Sequence, residues 1–296
     1  GLAKSDYGKY NEYVNIYVED LREKMHQNFP FYYVQLSSHA GDGLKSWSGI
    51  GLQRAVQFDG LKVIKNSGMV VSMDMGYLPG QTDWAHPDRK QPVGERLAAL
   101  TLARDYNIGT EENNTSPMPE YAYKSDGGVV IHFTHVAGGL KKLGSQSEIL
   151  GFKLIFANNL TRDAKAKILN ENEVFLETDL LSQLNGVGYG LEELAFTDYN
   201  GETKYIANLG NGSDLPAPTF MLREILDAKP EPTNAGTGTP AADGTTETAA
   251  PNQTPAGAEG KKSNLPVILG CIGGAVVIAG VVVTLTVLKK KKKSEN

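Results

Sequence analysis

The chain has 296 residues, of which 40% are hydrophobic and 21% charged, a composition that supports a packed core. Its single cysteine, Cys271, excludes an internal disulfide and a cysteine-rich zinc site. Residues 1–227 carry 21 Lys and Arg against 29 Asp and Glu, a net charge of −8, which argues against a nucleic-acid partner.

Residues 1–115 alternate between helical and strand patterns. Aromatic and aliphatic residues recur at helical spacing in one segment, and two further helices are predicted, one capped by Ser48 and one with Pro92 in its first turn. Between them lie runs of β-branched and aromatic residues typical of strands buried on both faces. In chain order the segments are helix 10–26, strand 31–36, helix 48 to about 59, strand 68–74 and a helix from about 91.

This order predicts a parallel α/β sheet over residues 1–115. In such sheets the functional loops follow the carboxyl ends of the strands. The loop 76–88 follows the end of the second strand and is therefore the first place to look for functional residues.

The pattern changes after Pro117 and Pro119 to short alternating runs separated by turn residues. These runs are 129–133, 151–156, 174–178 and 194–197. They predict a β-sandwich-like companion domain over residues 116–227.

The C-terminal part has two contrasting compositions. Residues 228–264 are rich in Ala, Thr, Pro and Gly and have too few large apolar side chains to fold, which predicts a disordered stalk. Residues 265–288 form a run of 24 without a charge. As a helix this run extends roughly 36 Å, enough for a hydrocarbon core of about 30 Å.

Five lysines follow this run at 289–293 and are expected to stay cytoplasmic. The sequence therefore predicts a single-pass cell-membrane protein with residues 1–264 extracellular and 289–296 as a cytoplasmic tail. A buried core helix at 265–288 is the disfavoured alternative, because the run is long and ends in like charges.

The loop 76–88 contains the sequence Asp83-Trp-Ala-His86. In a serine hydrolase, a histidine accepts the proton of the nucleophile and a carboxylate fixes the tautomer of the imidazole. An aspartate three residues before a histidine can orient that ring within one tight loop. Such a pair is also found by chance in surface loops, so the context must decide.

That context is a resemblance carried by three blocks: 29–36, 68–76 and 86–98. The last block is the most specific, with His86-Pro, then Lys90, then Val93-Gly-x-Arg96-Leu opening a helix. The chain resembles the sialate O-acetylesterases, a family of SGNH-type carbohydrate esterases, over about residues 10–222. Further matching segments in the β region are 135–140, 151–152, 189–190 and 215–220.

The resemblance implies a flavodoxin-like α/β/α fold and an esterase that acts on O-acetylated sialic acid. It implies that His86 is the general base and Asp83 its carboxylate, with Asp74 as the alternative acid. The Gly-Gln-Ser-Asn block that holds the family's nucleophile does not occur in the chain. The chain begins at Gly1 without a signal peptide, so we expect that residues upstream are missing and that this part alone is inactive.

Several other residues are candidates for binding. Arg89 and Lys90 could reach an acidic sugar, and tryptophans 47 and 84 could stack on a sugar ring. A substrate contact by His39 and a metal pair formed by His132 and His135 are weaker alternatives, the latter because no third ligand accompanies the pair. We expect neither a cofactor nor a metal. Acetylated plant polysaccharide is the second substrate, and a non-catalytic glycan-binding surface protein is the alternative function.

Overall fold

A computed structural model describes residues 7–38, 49–76, 86, 89–192, 196–199 and 202–231. These residues fall within one compact unit, Gly1–Thr233. The second unit, Asn234–Asn296, lies outside the described residues, and with it most of the predicted stalk, the predicted membrane span and the lysine tail. Within the described ranges, no helix is both long and apolar enough to cross a membrane.

The first part of the unit alternates helices and parallel strands, as the sequence predicts. Strands β1 and β2 pair in parallel, with Phe31 opposite Ser67 and Gln35 opposite Val71. The elements are α1 Tyr7–Met25, β1 Phe31–Gln35, α2 Gly49–Val63, β2 Ser67–Val71, a 3-10 turn Met73–Met75, α3 Gln91–Tyr106 and α4 Glu111–Asn114.

Two predicted boundaries are wrong. Helix α2 continues to Val63 rather than ending near Asp59, because Gly60 allows it to pack closely against Asn11 and Tyr33. Strand β2 ends at Val71 rather than Asp74, and the 3-10 turn that follows buries Met73 and Met75.

Strand β1 is less buried than predicted. Its first four residues are half-buried and only Gln35 is fully buried. The hydroxyl groups of both β1 tyrosines are hydrogen-bonded. Tyr32 donates to Asp105 at 2.7 Å, and Tyr33 donates to the carbonyl of Gln57 at 2.8 Å. Burial, followed by the Asp105 hydrogen bond, raises the pKa of Tyr32 to about 12, so this tyrosine stays neutral at physiological pH.

The second part of the unit is built from antiparallel strands. One four-stranded sheet has the order β3-β4-β9-β8 and another the order β14-β10-β6-β7, with shorter pairs β13-β5 and β11-β12. The strands are β3 Met118–Ser125, β4 Gly128–Thr134, β5 Leu140–Lys142, β6 Phe152–Ile155, β7 Thr161–Asp163, β8 Ala166–Asn170, β9 Glu173–Glu177, β10 Gly186–Tyr189, β11 Phe196–Tyr199, β12 Glu202–Tyr205, β13 Leu209–Asn211 and β14 Phe220–Leu222. The predicted runs 129–133, 151–156 and 174–178 correspond to β4, β6 and β9.

Both four-stranded sheets contribute to one hydrophobic cluster. The rings of Phe152, Tyr189 and Phe220 lie at its centre, with centroids 4.8 Å and 5.9 Å apart along that series. Phe58 of α2 and Met69 of β2 belong to the same cluster. The α/β region and the β region therefore share a core, which holds the carboxyl ends of β1 and β2 against the β sheets.

A close contact between Gly51 and Leu191 also joins the two regions. A Cβ atom at Gly51 would lie 1.8 Å from the backbone oxygen of Leu191, so the first turn of α2 needs glycine there. We expect Gly51→Ala to lower the free energy of unfolding by about 2–3 kcal/mol, because backbone rather than a flexible side chain must move.

Gly94 in α3 is the matched control, since it is exposed and nothing lies within 4 Å of an added Cβ. Gly94→Ala should be neutral or stabilising by up to about 1 kcal/mol. Urea denaturation of both variants checks this pair. Equal stabilities would show that α2 does not depend on its close approach to Leu191.

The end of the described chain lies along the sheet edge. Leu226 exchanges backbone hydrogen bonds with the β3 edge, donating to Ala122 at 2.8 Å and accepting from Lys124 at 2.9 Å. Lys229 Nζ then lies 2.8 Å from Glu173, although residue 229 falls in the predicted stalk. Burial alone would raise the pKa of Glu173, but Lys229, Asn170 and Tyr123 bond its carboxylate and hold that pKa below its ordinary value.

Candidate active site

The carboxyl ends of β1 and β2 are locked together by two serine side chains. Ser38 donates from Oγ to the carbonyl of Met73 at 2.7 Å, and Ser72 donates to the carbonyl of Gln35 at 2.7 Å. A Cβ atom on Gly76 would lie 2.4 Å from Cβ of Ser38, so the two segments approach as closely as glycine allows. Residues 77–85, which lie outside the described residues, follow Gly76 in the chain, and α/β sheets place their functional loops at such strand ends.

An ion pair holds the turn that follows β2. Arg96 of α3 binds both oxygens of Asp74, at 2.7 Å and 2.6 Å, and its Nη1 also donates to the carbonyl of Val71 at 2.7 Å. The side chains of Asp74 and Arg96 are only 12% and 14% exposed. This bidentate pair explains why β2 ends at Val71, since the guanidinium draws the strand end and the turn toward α3.

Of the two residues predicted for catalysis, the structure describes one. His86 is exposed and precedes α3 in the chain, whereas Asp83 lies outside the described residues, as do His39, Trp47 and Trp84. Arg89 donates from Nη2 to the carbonyl of Asp74 at 2.9 Å. Lys90 is exposed and directly precedes α3. The structure thus brings Arg89 to Asp74 and leaves the relation of Asp83 to His86 a prediction.

His132 and His135, the weaker alternative of a metal pair, do not both lie on β4. Strand β4 ends at Thr134, and His135 follows with a positive φ of 56°, so it does not continue the face on which His132 lies. The ring of His132 instead stacks on Tyr121, with centroids 4.7 Å apart and planes 8° from parallel. The described part of the chain holds no group of three potential metal ligands.

Sequence reasoning missed the residue that connects the edge to the β region. Arg54 of α2 is 0% exposed. It donates to Thr219 Oγ1 at 2.9 Å, to the carbonyls of Gly190 at 2.9 Å and Ser37 at 3.3 Å, and to the carbonyl of Glu192. A signal was present, because position 54 lies on the same helical stripe as Gly51 and Phe58, which are buried.

Gln35 completes the same network. Its side-chain nitrogen donates to the carbonyls of Arg54 and Thr219, at 2.8 Å and 2.9 Å, and its side-chain oxygen accepts from Thr219 N at 2.9 Å. The partners of these hydrogen bonds are backbone groups and the Thr219 hydroxyl, so the buried side chains of Arg54 and Gln35 are hydrogen-bonded. The network aligns the end of β1 with the segment before β14.

Comparison with known proteins finds similarity among solved structures. No family model matches the chain, and no curated protein does so. A solved structure of a carbohydrate acetylesterase from Xanthomonas citri is similar to it, with a TM-score of 0.59 and 26% sequence identity. The similarity covers 72% of this chain and 46% of that protein, so the chain spans less than half the length of its neighbour. The mixed α/β and β architecture is therefore similar to that of a carbohydrate esterase.

Proposed function

We propose that this chain is part of an enzyme that hydrolyses O-acetyl esters on carbohydrate, with O-acetylated sialic acid as the preferred substrate. The observation that carries the proposal is the structural similarity, at 26% identity, to a carbohydrate acetylesterase. Acetylated plant polysaccharide is the second substrate within the same chemistry. The finer fold proposal is the flavodoxin-like α/β/α sheet of the SGNH hydrolases, of which β1 and β2 would be two neighbouring parallel strands.

The proposed mechanism divides one reaction among three side chains. A serine hydroxyl attacks the acetyl carbonyl, and His86 accepts the proton of that hydroxyl. The bond between the acetyl carbon and the sugar oxygen then breaks, and His86 returns the proton to the departing sugar oxygen. Water, activated by His86 in turn, releases acetate from the acyl-serine. By the resemblance, the serine belongs to a block N-terminal to the first residue of this chain.

Asp83 is the proposed carboxylate partner of His86. Asp74 is a less suitable partner, because Arg96 occupies both of its oxygens and draws the carboxylate toward α3. Asp74 then has a different task, which is to hold the strand end from which the loop departs. This division of roles leads to different expected effects of their substitution.

We further propose that the enzyme is tethered to the outer face of a cell membrane by residues 265–288. The uncharged run and the lysines that follow it support this proposal. The full chain should then need detergent for extraction, while a chain ending after Leu226 should not. Recovery of the intact full chain in the aqueous phase would argue against the anchor.

Acetate release from an O-acetylated sialoglycan and from acetylated xylan tests the esterase proposal. The gene product that includes the upstream serine block should release acetate, and its His86→Ala variant should not. The 296-residue chain alone should show no turnover that depends on His86. If the longer product binds glycans but releases no acetate, the protein is a glycan-binding module and the esterase proposal fails.

A further inference from the structure

A large cavity lies in the β region, and no residue at the carboxyl ends of β1 and β2 lines it. It has a volume of about 1040 Å³, slightly above the roughly 300–1,000 Å³ of most small-molecule sites. Its walls come from the segment 147–151, from β6 to β8, and from Glu192 and Ile206. Nothing in the proposed esterase mechanism uses it.

One side of this cavity is aliphatic. Ile149 and Leu150 precede β6, Ile168 lies on β8 and Ile206 follows β12. Ile149 and Ile168 are partly buried against the main hydrophobic cluster, so their positions are set by packing. A wall of this kind can contact the C–H face of a ring, as apolar surfaces do in ligand sites.

The other side holds a cluster of three charged side chains, of which two are largely buried. Lys153 Nζ lies 2.5 Å from Asp163 and 2.5 Å from Glu192; the side chains of Lys153 and Glu192 are 13% and 16% exposed, whereas that of Asp163 is 88% exposed. Burial would lower the pKa of Lys153, but the two carboxylates outweigh burial and raise it, so the lysine is charged. This arrangement gives the cavity a fixed polar end.

Within the described residues, one side-chain oxygen of Glu192 has no hydrogen-bond donor. Its Oε1 binds Lys153, while Oε2 is buried and no donor reaches it from the part of the chain that the structure describes. A buried carboxylate oxygen without a donor is costly, so a ligand that supplies one gains affinity. A sugar hydroxyl is such a donor.

The charges around the cavity balance. Its lining includes lysines 153, 165 and 167 and the carboxylates of Glu148, Asp163 and Glu192. Lys153 is already matched by two carboxylates, and Lys167 lies over the ring of Phe175 at 5.0 Å. At the polar end an anionic ligand would meet a lysine already held by Asp163 and Glu192, and the Glu192 carboxylate itself, which favours a neutral ligand there.

The cavity adjoins the edge that carries the proposed catalytic loop. The guanidinium of Arg54 donates both to the carbonyl of Glu192 at the cavity and to the carbonyl of Ser37 just beyond β1. The Arg54 side chain thus links the cavity to the carboxyl end of β1. We propose that this cavity is a second carbohydrate subsite, which binds a neutral sugar residue of the glycan beside the acetylated one. The link to the acetylated residue depends on the proposed esterase function, whereas sugar binding in the cavity does not.

Isoleucine methyl spectra of the full 296-residue chain test the subsite directly. The probes are methyl β-galactoside, lactose and xylotriose, titrated to 20 mM. At least one probe should bind with a Kd of about 0.1–10 mM, shifting the methyl signals of Ile149, Ile168 and Ile206. Ile131 in the core and Ile225 on another surface should not shift.

Glu192→Gln should weaken binding at least fivefold, because the charged carboxylate acceptor for a sugar hydroxyl is lost while the shape of the side chain is kept. Ala164→Phe, which places a ring in the cavity, should weaken binding at least tenfold, and the same spectra report whether it folds. Glu177→Gln, an exposed carboxylate on β9, is the matched control and should leave the Kd unchanged.

The subsite is overturned if no neutral probe shifts the three cavity methyls, or if Glu192→Gln binds as tightly as the unchanged chain. It is also overturned if N-acetylneuraminic acid binds there more tightly than the neutral sugars. Sugar binding without acetate release from the longer gene product would refute only the esterase proposal. Acetate release without sugar binding in the cavity would refute only the subsite.

Discussion

If the proposed esterase mechanism holds, His86→Ala in the gene product that includes the serine block is expected to lower kcat by about 10³- to 10⁵-fold and to leave KM within a fewfold. Removing the imidazole removes the acceptor for the serine proton, whereas contacts to the sugar are made by other groups. Asp83→Asn should cause a loss of similar size, because an amide leaves the imidazole in the wrong tautomer. The kcat of the double variant should lie no more than about tenfold below that of His86→Ala, since the two residues act as one unit.

Asp74→Asn separates the two candidate acids. Arg96 holds both oxygens of Asp74, so this change should lower the free energy of unfolding by about 1–3 kcal/mol and reduce kcat far less than Asp83→Asn does. Acetate-release kinetics and thermal melts of the same variants measure both effects. A rate for Asp74→Asn as low as that of His86→Ala, with Asp83→Asn near normal, would move the acid to Asp74.

Arg54→Met should be strongly destabilising, lowering the free energy of unfolding by about 3–5 kcal/mol. Methionine fits the buried volume, but it leaves the carbonyls of Ser37, Gly190 and Glu192 without their donor. Because these carbonyls belong to both regions of the unit, the β region should loosen from the edge of β1 and β2.

Arg223→Met is the control for this loss, since Arg223 is exposed on the segment after β14. It should change stability by less than about 0.5 kcal/mol. Chemical denaturation followed by tryptophan and tyrosine fluorescence compares the two. A loss below about 1 kcal/mol for Arg54→Met would mean that water replaces the guanidinium and that the network does not join the regions.

Hydrophobic periodicity was enough to predict the order of elements. The helix at 10–26 and the strands at 31–36 and 129–133 are local patterns, and each is found close to its predicted place. Such patterns depend on residues three or four apart in helices and two apart in strands. They can therefore be recognised without knowing how the rest of the chain folds.

Sequence-level reasoning failed where distant segments meet. The end of β2 is set by Arg96, 25 residues beyond Val71, and the length of α2 by its packing on Asn11 and Tyr33. The stacking of His132 on Tyr121 across β3 and β4 likewise follows from strand register. None of these contacts has a local signature, because each is made by a side chain that could equally face solvent.

The sequence by itself determined the α/β order, the change to antiparallel strands after residue 117 and the position of His86 beyond a strand end. The tertiary structure alone decided that Arg54 is buried, that Asp74 is committed to Arg96 and that Lys153 and Glu192 form the polar end of a cavity. The physical reason is the same in all three cases. A charged side chain is stable in the interior only if folding brings its partners to it, and those partners lie far away in the chain.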